Sequence, residues 1–167
     1  MKTKFLLIAI IFAMLACTSE NQSSISQGEK ENIVKEVAFV INSYSDGMLA
    51  LDVNKMIVET CLNSEEFTYV GIDGGLMNYE ELFNAAKETF DAFSSAEYSV
   101  NKEKINVVSS NVAIVSINYS AAFLSSESKL TFPNVGKTFV LNKINNQWKV
   151  IHFQESVQEA KFIQEVF

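Results

Sequence analysis

The spacing of hydrophobic and polar positions along this chain changes near residue 96. Before that point apolar residues recur every three or four positions, which is typical of helices that bury one face. Beyond it the period falls to two and β-branched residues become frequent, which indicates strands. The pattern therefore predicts a helical first half and a sheet in the second half.

Three helices are predicted in the first half. The segment 29–51 carries an apolar stripe made of Ile33, Val37, Val40, Ile41, Tyr44, Met48 and Leu51. Asp52 has the residue type and position of an N-cap for a short second helix, so the first two helices should meet at a bend. Asn78 and Glu81 have the spacing of a capping box and begin a third helix, whose inner face carries Phe90.

Five strands are expected. A short strand over 66–71 precedes the third helix and leads into an Asp-Gly-Gly turn. The other four should form an antiparallel meander over 96–108, 111–124, 136–144 and 147–156. A loop that contains Pro133-Asn134 should separate the second and third of these, and Asn145-Asn146 suits a tight hairpin turn. In 111–124 the register of Val115 and Tyr119 should face the helices.

Another capping-box spacing, from Ser156 to Glu159, predicts a short apolar helix at the C terminus. Helices that precede a mainly antiparallel sheet define an α+β fold. The chain of 167 residues is long enough for one compact domain, which we expect over 29–167.

The first residues are predicted to be a secretory leader. Lys2 and Lys4 precede an unbroken apolar run, and a small residue, Ala16, stands before Cys17. Met14-Leu15-Ala16-Cys17 resembles the lipobox of bacterial lipoproteins, which implies a signal peptide over 1–16 and a lipidated Cys17. The alternative is a plain secreted protein with an incidental cysteine. Residues 17–28 are rich in polar residues and should form a flexible tether to the membrane of a cell envelope.

Composition excludes some partners. The net charge is −7, and all 13 basic residues are lysines, so nucleic-acid binding is not expected. Removal of residues 1–16 would leave 11 lysines against 20 acidic residues, a net charge of −9. Cys61 would then have no disulfide partner and is interpreted as a small buried residue.

Three local features resemble the nuclear transport factor 2-like superfamily, including its SnoaL-like and ketosteroid-isomerase-like branches. They are Asp52 at the start of the second helix, the strand, turn and helix from Phe67 to Asn78, and the final strand. In that strand one face should present Trp148, Val150, His152, Gln154 and Ser156. The resemblance covers about residues 29–157. It implies a strongly curved sheet wrapped into a cone, a pocket at the open end, and a sheet surface that can form a homodimer.

The candidate site lies on that strand. His152 is the single histidine of the chain and titrates near neutrality, which makes it the first candidate for acid–base work or ligand contact. We expect a ligand-binding wall made of Tyr69, Phe90, Tyr119, Trp148, His152 and Gln154. A structural histidine remains the alternative for His152, and phenylalanines that fill the cone completely would leave no pocket.

Three hypotheses for function follow. The favoured one is a lipid-anchored envelope protein that binds a small apolar ligand or a protein partner without catalysis. The second is an isomerase, dehydratase or cyclase with His152 as acid or base. The third is a structural envelope protein that associates through Ser116, Asn118 and Ser120. No metal, cofactor or catalytic residue is assigned from the sequence.

Overall fold

The computed structural model describes residues 25–157 and 161–164. The predicted leader, Cys17 and most of the tether lie outside the described residues. The elements are α1 (Gln27–Ala50), a π-helical segment (Asn54–Val58), β1 (Thr68–Val70), β2 (Leu76–Met77), α2 (Tyr79–Asp91), β3 (Ser95–Ser109), β4 (Val112–Leu124), β5 (Ser128–Ile144), β6 (Gln147–Val157) and β7 (Lys161–Gln164).

The bend after α1 depends on three residues close together in sequence. Leu51 closes the helix in the left-handed region at φ 54°, and Asp52 Oδ1 accepts hydrogen bonds from the backbone amides two and three residues later. A Cβ at Gly47 would overlap the backbone of Met56, so glycine is required where α1 approaches the next segment. The second helix is therefore present and capped by Asp52, but it is π-helical.

The predicted start of α2 is confirmed. Asn78 Oδ1 accepts a hydrogen bond from the Glu81 amide, and the Glu81 carboxylate accepts one from the Asn78 amide, which completes a capping box. The helix buries Leu82, Ala86 and Phe90 against the rest of the core. The third predicted helix thus has the start and the inner face that its sequence indicates.

The sheet has the strand order β2-β1-β6-β5-β4-β3, with β7 beside β5. Strands β3 to β6 form the expected antiparallel meander, whereas β1 pairs in parallel with β6. The β5–β6 turn is made by Asn145 and Asn146, both at positive φ, as their residue types predict. Together with the helices, this curled sheet forms the expected α+β cone.

The prediction of a loop around Pro133-Asn134 is wrong. Strand β5 continues through Pro133-Asn134, which lie in a bulge between Phe132, opposite Ala121, and Val135, opposite Tyr119. A bulge tolerates proline because the missing amide donor is not needed there.

The prediction of a C-terminal helix is also wrong for the residues that the structure describes there. Residues 161–164 form the strand β7, because the first residues of β5 offer a free edge with which they pair.

The core lies between the helices and the inner face of the sheet. In β4 the expected register is buried: Ala113, Val115, Ile117, Tyr119, Ala121 and Phe123. Tyr44 of α1 packs edge-on against Phe139 and Phe153, so aromatic rings fill the middle of the cone. Within the described residues, no helix combines the length and apolarity needed to cross a membrane.

Candidate functional site

A β-bulge in β6 decides which of its side chains enter the cone. Val140 of β5 lies opposite His152, and Leu141 lies opposite Val150, so Ile151 is the extra residue. The alternation therefore reverses within the strand. The expectation of one continuous face from Trp148 to Ser156 is wrong, because the inner face carries Trp148 and Val150 before the bulge, and Phe153 and Glu155 after it.

The reversal brings Glu155 into the interior of the cone, beside a lysine of β5. Lys137 Nζ forms an ion pair with Glu155 Oε1, and Tyr119 donates a hydrogen bond to the same oxygen at 3.0 Å. Tyr69 donates to Glu155 Oε2 at 2.9 Å. The Lys137 side chain is fully buried and that of Glu155 is 12% exposed. We call Lys137, Glu155, Tyr44, Tyr69 and Tyr119 the polar cluster.

Aromatic groups surround the Lys137 ammonium. Nζ lies 4.5 Å from the ring centroid of Tyr44 and 5.2 Å from that of Tyr119. It also donates a hydrogen bond to the Tyr44 hydroxyl at 2.9 Å. Cation–π attraction at such distances partly replaces the lost hydration of the ammonium. The lysine is thus held by its carboxylate partner, a hydroxyl and ring faces.

Electrostatics fix the protonation of the polar cluster. Burial by itself would raise the pKa of Glu155, but Lys137 and the two tyrosine donors outweigh it and lower that pKa. Burial, followed by the nearby Glu155 charge, raises the pKa of Tyr69 and of Tyr119 far above its usual value. At neutral pH the carboxylate is therefore ionised and the tyrosines keep their protons.

A pocket of about 210 Å³ opens between α1, α2 and the sheet, beside Glu155. Its wall is mostly apolar and includes Met48, Met56, Met77, Leu82, Ala86 and Phe90. Among the described residues that line it, Glu155 is the charged one. A dry cavity of about 150 Å³ is known to accept benzene, so this volume suits one ring with a short substituent.

Three of the six predicted ligand-binding residues belong to this region. Tyr69 and Phe90 line the pocket. Tyr119 lies behind it and contacts Glu155. Their role in binding stays a prediction.

The other three lie elsewhere. His152 is on the outer side of β6, where its Nδ1 is 2.7 Å from Thr68 Oγ1, and Gln154 is exposed. Trp148 is buried at the opposite end of the cone and donates from Nε1 to Glu36 Oε2 at 2.7 Å. Glu36 precedes Tyr44 by two turns of α1, about 12 Å along the helix axis. The structure does not bring Trp148 and His152 together around one cavity.

Trp148 contributes to a second concavity, a groove of about 780 Å³ that also includes Phe39 and Lys149. The groove is larger than the cone pocket and is open to solvent. Its carboxylates are Glu36 and Glu59, and Glu36 is 47% exposed and already accepts hydrogen bonds from Lys143 and Trp148. We therefore place the candidate site in the cone pocket, where a buried charge adjoins an apolar wall.

Sequence reasoning missed Lys137 and Glu155. A signal for the lysine was present, because Lys137 occupies the apolar register of β5 between Val135 and Phe139. A charge in such a register requires an internal partner. No comparable signal in the sequence marks Glu155, because its side chain points inward only as a result of the bulge in β6.

Cys61 is buried as expected, and burial raises the pKa of its thiol to about 12, so it is unreactive at neutral pH. Across residues 25–157, no group of three or more histidine, cysteine or acidic residues is arranged to hold a metal ion.

Comparisons with known proteins agree with this architecture. A family model described as a SnoaL-like domain matches residues 37–159. No curated protein matches the sequence. The cone resembles a nuclear transport factor 2-like superfamily protein from Salmonella enterica serovar Typhimurium with a TM-score of 0.69 and 17% identity, over 83% of this chain and 99% of that one.

Two further solved structures share the fold. A candidate scytalone dehydratase from Novosphingobium aromaticivorans matches with a TM-score of 0.72 and 10% identity, over 84% of this chain and 94% of that one. A type 2 hexachlorocyclohexane dehydrochlorinase matches with a TM-score of 0.69 and 7% identity, over 84% and 95%. At such identities these likenesses show the fold, and the family model confirms the SnoaL-like resemblance that the sequence suggested.

Proposed function

This chain belongs to the SnoaL-like domain family, and we propose that its cone pocket binds a small, mainly apolar molecule with one polar group, without converting it. The observation that carries the proposal is the position of Glu155. Its carboxylate borders a pocket of about 210 Å³ whose other walls are thioethers, aliphatic groups and rings. In such a pocket the apolar wall provides affinity for the ligand, and the polar group fixes the orientation of the ligand.

Binding is favoured over catalysis by the condition of that carboxylate. Both oxygens already accept hydrogen bonds, and the lowered pKa makes Glu155 a weak base. A general base is most effective when its pKa is near the working pH. His152, the acid or base suggested by sequence, is not among the residues that line the pocket.

Methionine methyl NMR provides a direct test of binding. Of the five methionines, Met1 and Met14 lie in the predicted leader, and the remaining three, Met48, Met56 and Met77, line the pocket. We expect toluene and p-cresol to shift all three methyl signals in the chain from residue 17 onward. A titration that moves none of them would contradict the proposed pocket.

A matched pair of variants separates the pocket from the surface. Ala86→Leu adds a branched side chain to the pocket wall, whereas Ala92→Leu makes the same change at an exposed position after α2. We expect Ala86→Leu to weaken probe binding at least tenfold and Ala92→Leu to leave it unchanged. Equal affinities in the two variants would place the probe elsewhere.

The second candidate is an isomerase, dehydratase or cyclase. It is favoured by the presence of a carboxylate in the pocket, and its base would be Glu155 rather than His152. Deuterium exchange at the carbon next to the carbonyl of cyclohexanone, followed by NMR in D₂O, tests for proton abstraction. We expect no acceleration over buffer. Acceleration that Glu155→Gln abolishes would favour the enzyme instead.

The anchor is a separate part of the proposal. We infer that Cys17 is acylated and that the domain is tethered to a bacterial cell envelope through residues 17–28. A domain held by several acyl chains stays on a membrane stably. Mass spectrometry of the mature N terminus should find lipid on Cys17, and Cys17→Ser should release the protein into the soluble fraction. An unmodified Cys17 in the mature chain would overturn this part.

Pairing through the sheet completes the proposal. The outer face of the meander carries an exposed apolar side chain, that of Val108. We infer that two copies associate through this face. Sedimentation equilibrium should show a dimer at micromolar concentration, and Val108→Lys should weaken it. A monomer over the same range would exclude this arrangement.

A further inference from the structure

We propose that the pocket selects neutral molecules that present a hydrogen-bond donor, such as a phenol or an alcohol, and rejects carboxylates. This inference rests on the proposed binding function and adds the chemical class of the ligand. It follows from which atoms of the polar cluster face the pocket and which lie behind it.

Glu155 has one acceptor position to spare. A carboxylate offers about four lone-pair positions. Oε1 accepts from Tyr119 and pairs with Lys137, whereas Oε2 accepts from Tyr69. Among the described residues no second donor reaches Oε2. Because Glu155 lines the pocket and keeps 12% of its side-chain surface exposed, that position is available to a ligand.

The positive end of the pair is hidden from the ligand. The Lys137 side chain has no exposed surface, and its ammonium is engaged by Glu155 and the Tyr44 hydroxyl. The Tyr69 hydroxyl already donates its hydrogen bond to Glu155, so its oxygen can serve as an acceptor for a ligand. The Thr89 hydroxyl donates to the Ala85 carbonyl. Apart from the Tyr44 hydroxyl, which accepts from Lys137 and keeps its own proton, the polar side-chain atoms of the pocket wall are therefore acceptors.

Charge then decides between ligands of similar shape. A carboxylate in the pocket would face the ionised Glu155 with little water between them, and like charges in a desolvated site repel strongly. A cation gains little, because it loses its hydration against the apolar wall and Lys137 already balances part of the Glu155 charge. A neutral donor forms one charge-assisted hydrogen bond and leaves its apolar part against the methionines.

Three one-ring probes test the selection. p-Cresol carries a donor, 4-methylanisole has the oxygen but no donor, and 4-methylbenzoate is an anion of similar size. In methionine methyl NMR titrations at neutral pH we expect p-cresol to bind at least tenfold more tightly than 4-methylanisole, as one hydrogen bond to a charged group implies. The 4-methylbenzoate anion should not bind measurably. Equal affinities of p-cresol and 4-methylanisole would overturn the inference.

Acidification tests the same inference without a variant. As pH falls toward 4 a growing share of the benzoate probe becomes a neutral acid that can donate, whereas the lowered pKa of Glu155 keeps that carboxylate ionised to lower pH than an ordinary carboxyl group. The apparent affinity for the benzoate probe should rise as pH falls from 7 to 4, while that for p-cresol stays level. A benzoate affinity that is independent of pH would count against selection by charge.

Two variants assign the selection to Glu155. Lys137→Met with Glu155→Gln removes both charges together, and the double variant should bind p-cresol and 4-methylanisole with affinities that differ less than threefold. Glu36→Gln, which changes a carboxylate at the other end of the cone, should keep the wild-type ratio. If toluene and all three probes fail to bind the wild-type protein, the pocket function itself fails. If they bind without preference, only the selection fails.

Discussion

The two ends of the cone contain the same pair of residue types in opposite surroundings. Lys137 and Lys143 both lie on the inner register of β5, and each pairs with a glutamate. The Lys137 and Glu155 side chains are 0% and 12% exposed, whereas those of Lys143 and Glu36 are 24% and 47% exposed. We call Lys137 with Glu155 the inner pair and Lys143 with Glu36 the outer pair. Each pair also has an aromatic hydrogen-bond donor, which is Tyr119 for the inner pair and Trp148 for the outer pair.

The two pairs differ in burial, and they therefore differ in how much free energy is lost when one partner is removed. Water screens the outer pair, and its charges can be hydrated separately when the contact breaks. The inner charges have no such alternative, so each depends on the other. A salt bridge that is buried next to an apolar pocket therefore has the surroundings that the proposed ligand selection requires, and the exposed pair does not.

Breaking the inner pair should have the largest effect. Lys137→Met leaves the Glu155 charge without its buried partner, which we expect to cost about 3–5 kcal/mol of unfolding free energy. Urea denaturation followed by circular dichroism measures the loss. The double variant Lys137→Met with Glu155→Gln should be more stable than Lys137→Met alone. A single variant as stable as the wild type would show that the two charges are not coupled.

Acidification should have the second-largest effect, because it protonates Glu155 of the inner pair. The pKa of folded Glu155 lies below its ordinary value of 4.5, so the unfolded chain takes up the proton first as pH falls. The stabilisation is complete above the unfolded pKa and is lost as pH falls through the folded pKa. Urea midpoints measured from pH 7 to pH 3 should decline below about 4.5, and the charge-free double variant should decline less. Parallel curves would contradict this assignment.

Removal of one donor to the buried carboxylate should have an intermediate effect. Tyr119→Phe keeps the ring and deletes the hydrogen bond to Glu155 Oε1, at an expected cost of about 1.5–3 kcal/mol. It should also raise the folded pKa of Glu155 toward its unfolded value, so that the acid decline is smaller and is complete at a higher pH. Thermal melts at two pH values check both effects. A lower melting temperature with an unchanged acid decline would mean that only packing was disturbed.

The outer pair should respond least. Lys143→Met removes a partly exposed partner of Glu36, and we expect a change below about 1 kcal/mol that shrinks further in high salt. The same substitution at Lys137 is the matched comparison. Urea denaturation at low and high ionic strength provides the measurement. Equal losses at the two lysines would remove the distinction between the ends.

Local signals in the sequence predicted much of the fold. Asp52 and the Asn78–Glu81 capping box begin their helical segments where expected, and Asn145-Asn146 turns the last hairpin. These succeed because a cap or a turn depends on a few neighbouring residues. The C-terminal segment failed for the opposite reason. Residues 161–164 pair with residues that lie 30 to 36 positions earlier in the chain, and a local capping pattern carries no information about that edge.

The candidate site also combines features that the sequence determines with features that only the tertiary structure determines. Sequence by itself determined the apolar faces of the helices and of β4, the order of the main elements from α1 to β6 and the presence of a lysine on an apolar register, since each follows from short-range periodicity. Tertiary structure alone decided that Lys137 meets Glu155. One extra residue in β6 reverses the direction of every side chain after it, which turns His152 and Gln154 outward and Glu155 inward. A bulge forms through pairing with a neighbouring strand, so its position depends on residues far away in the chain.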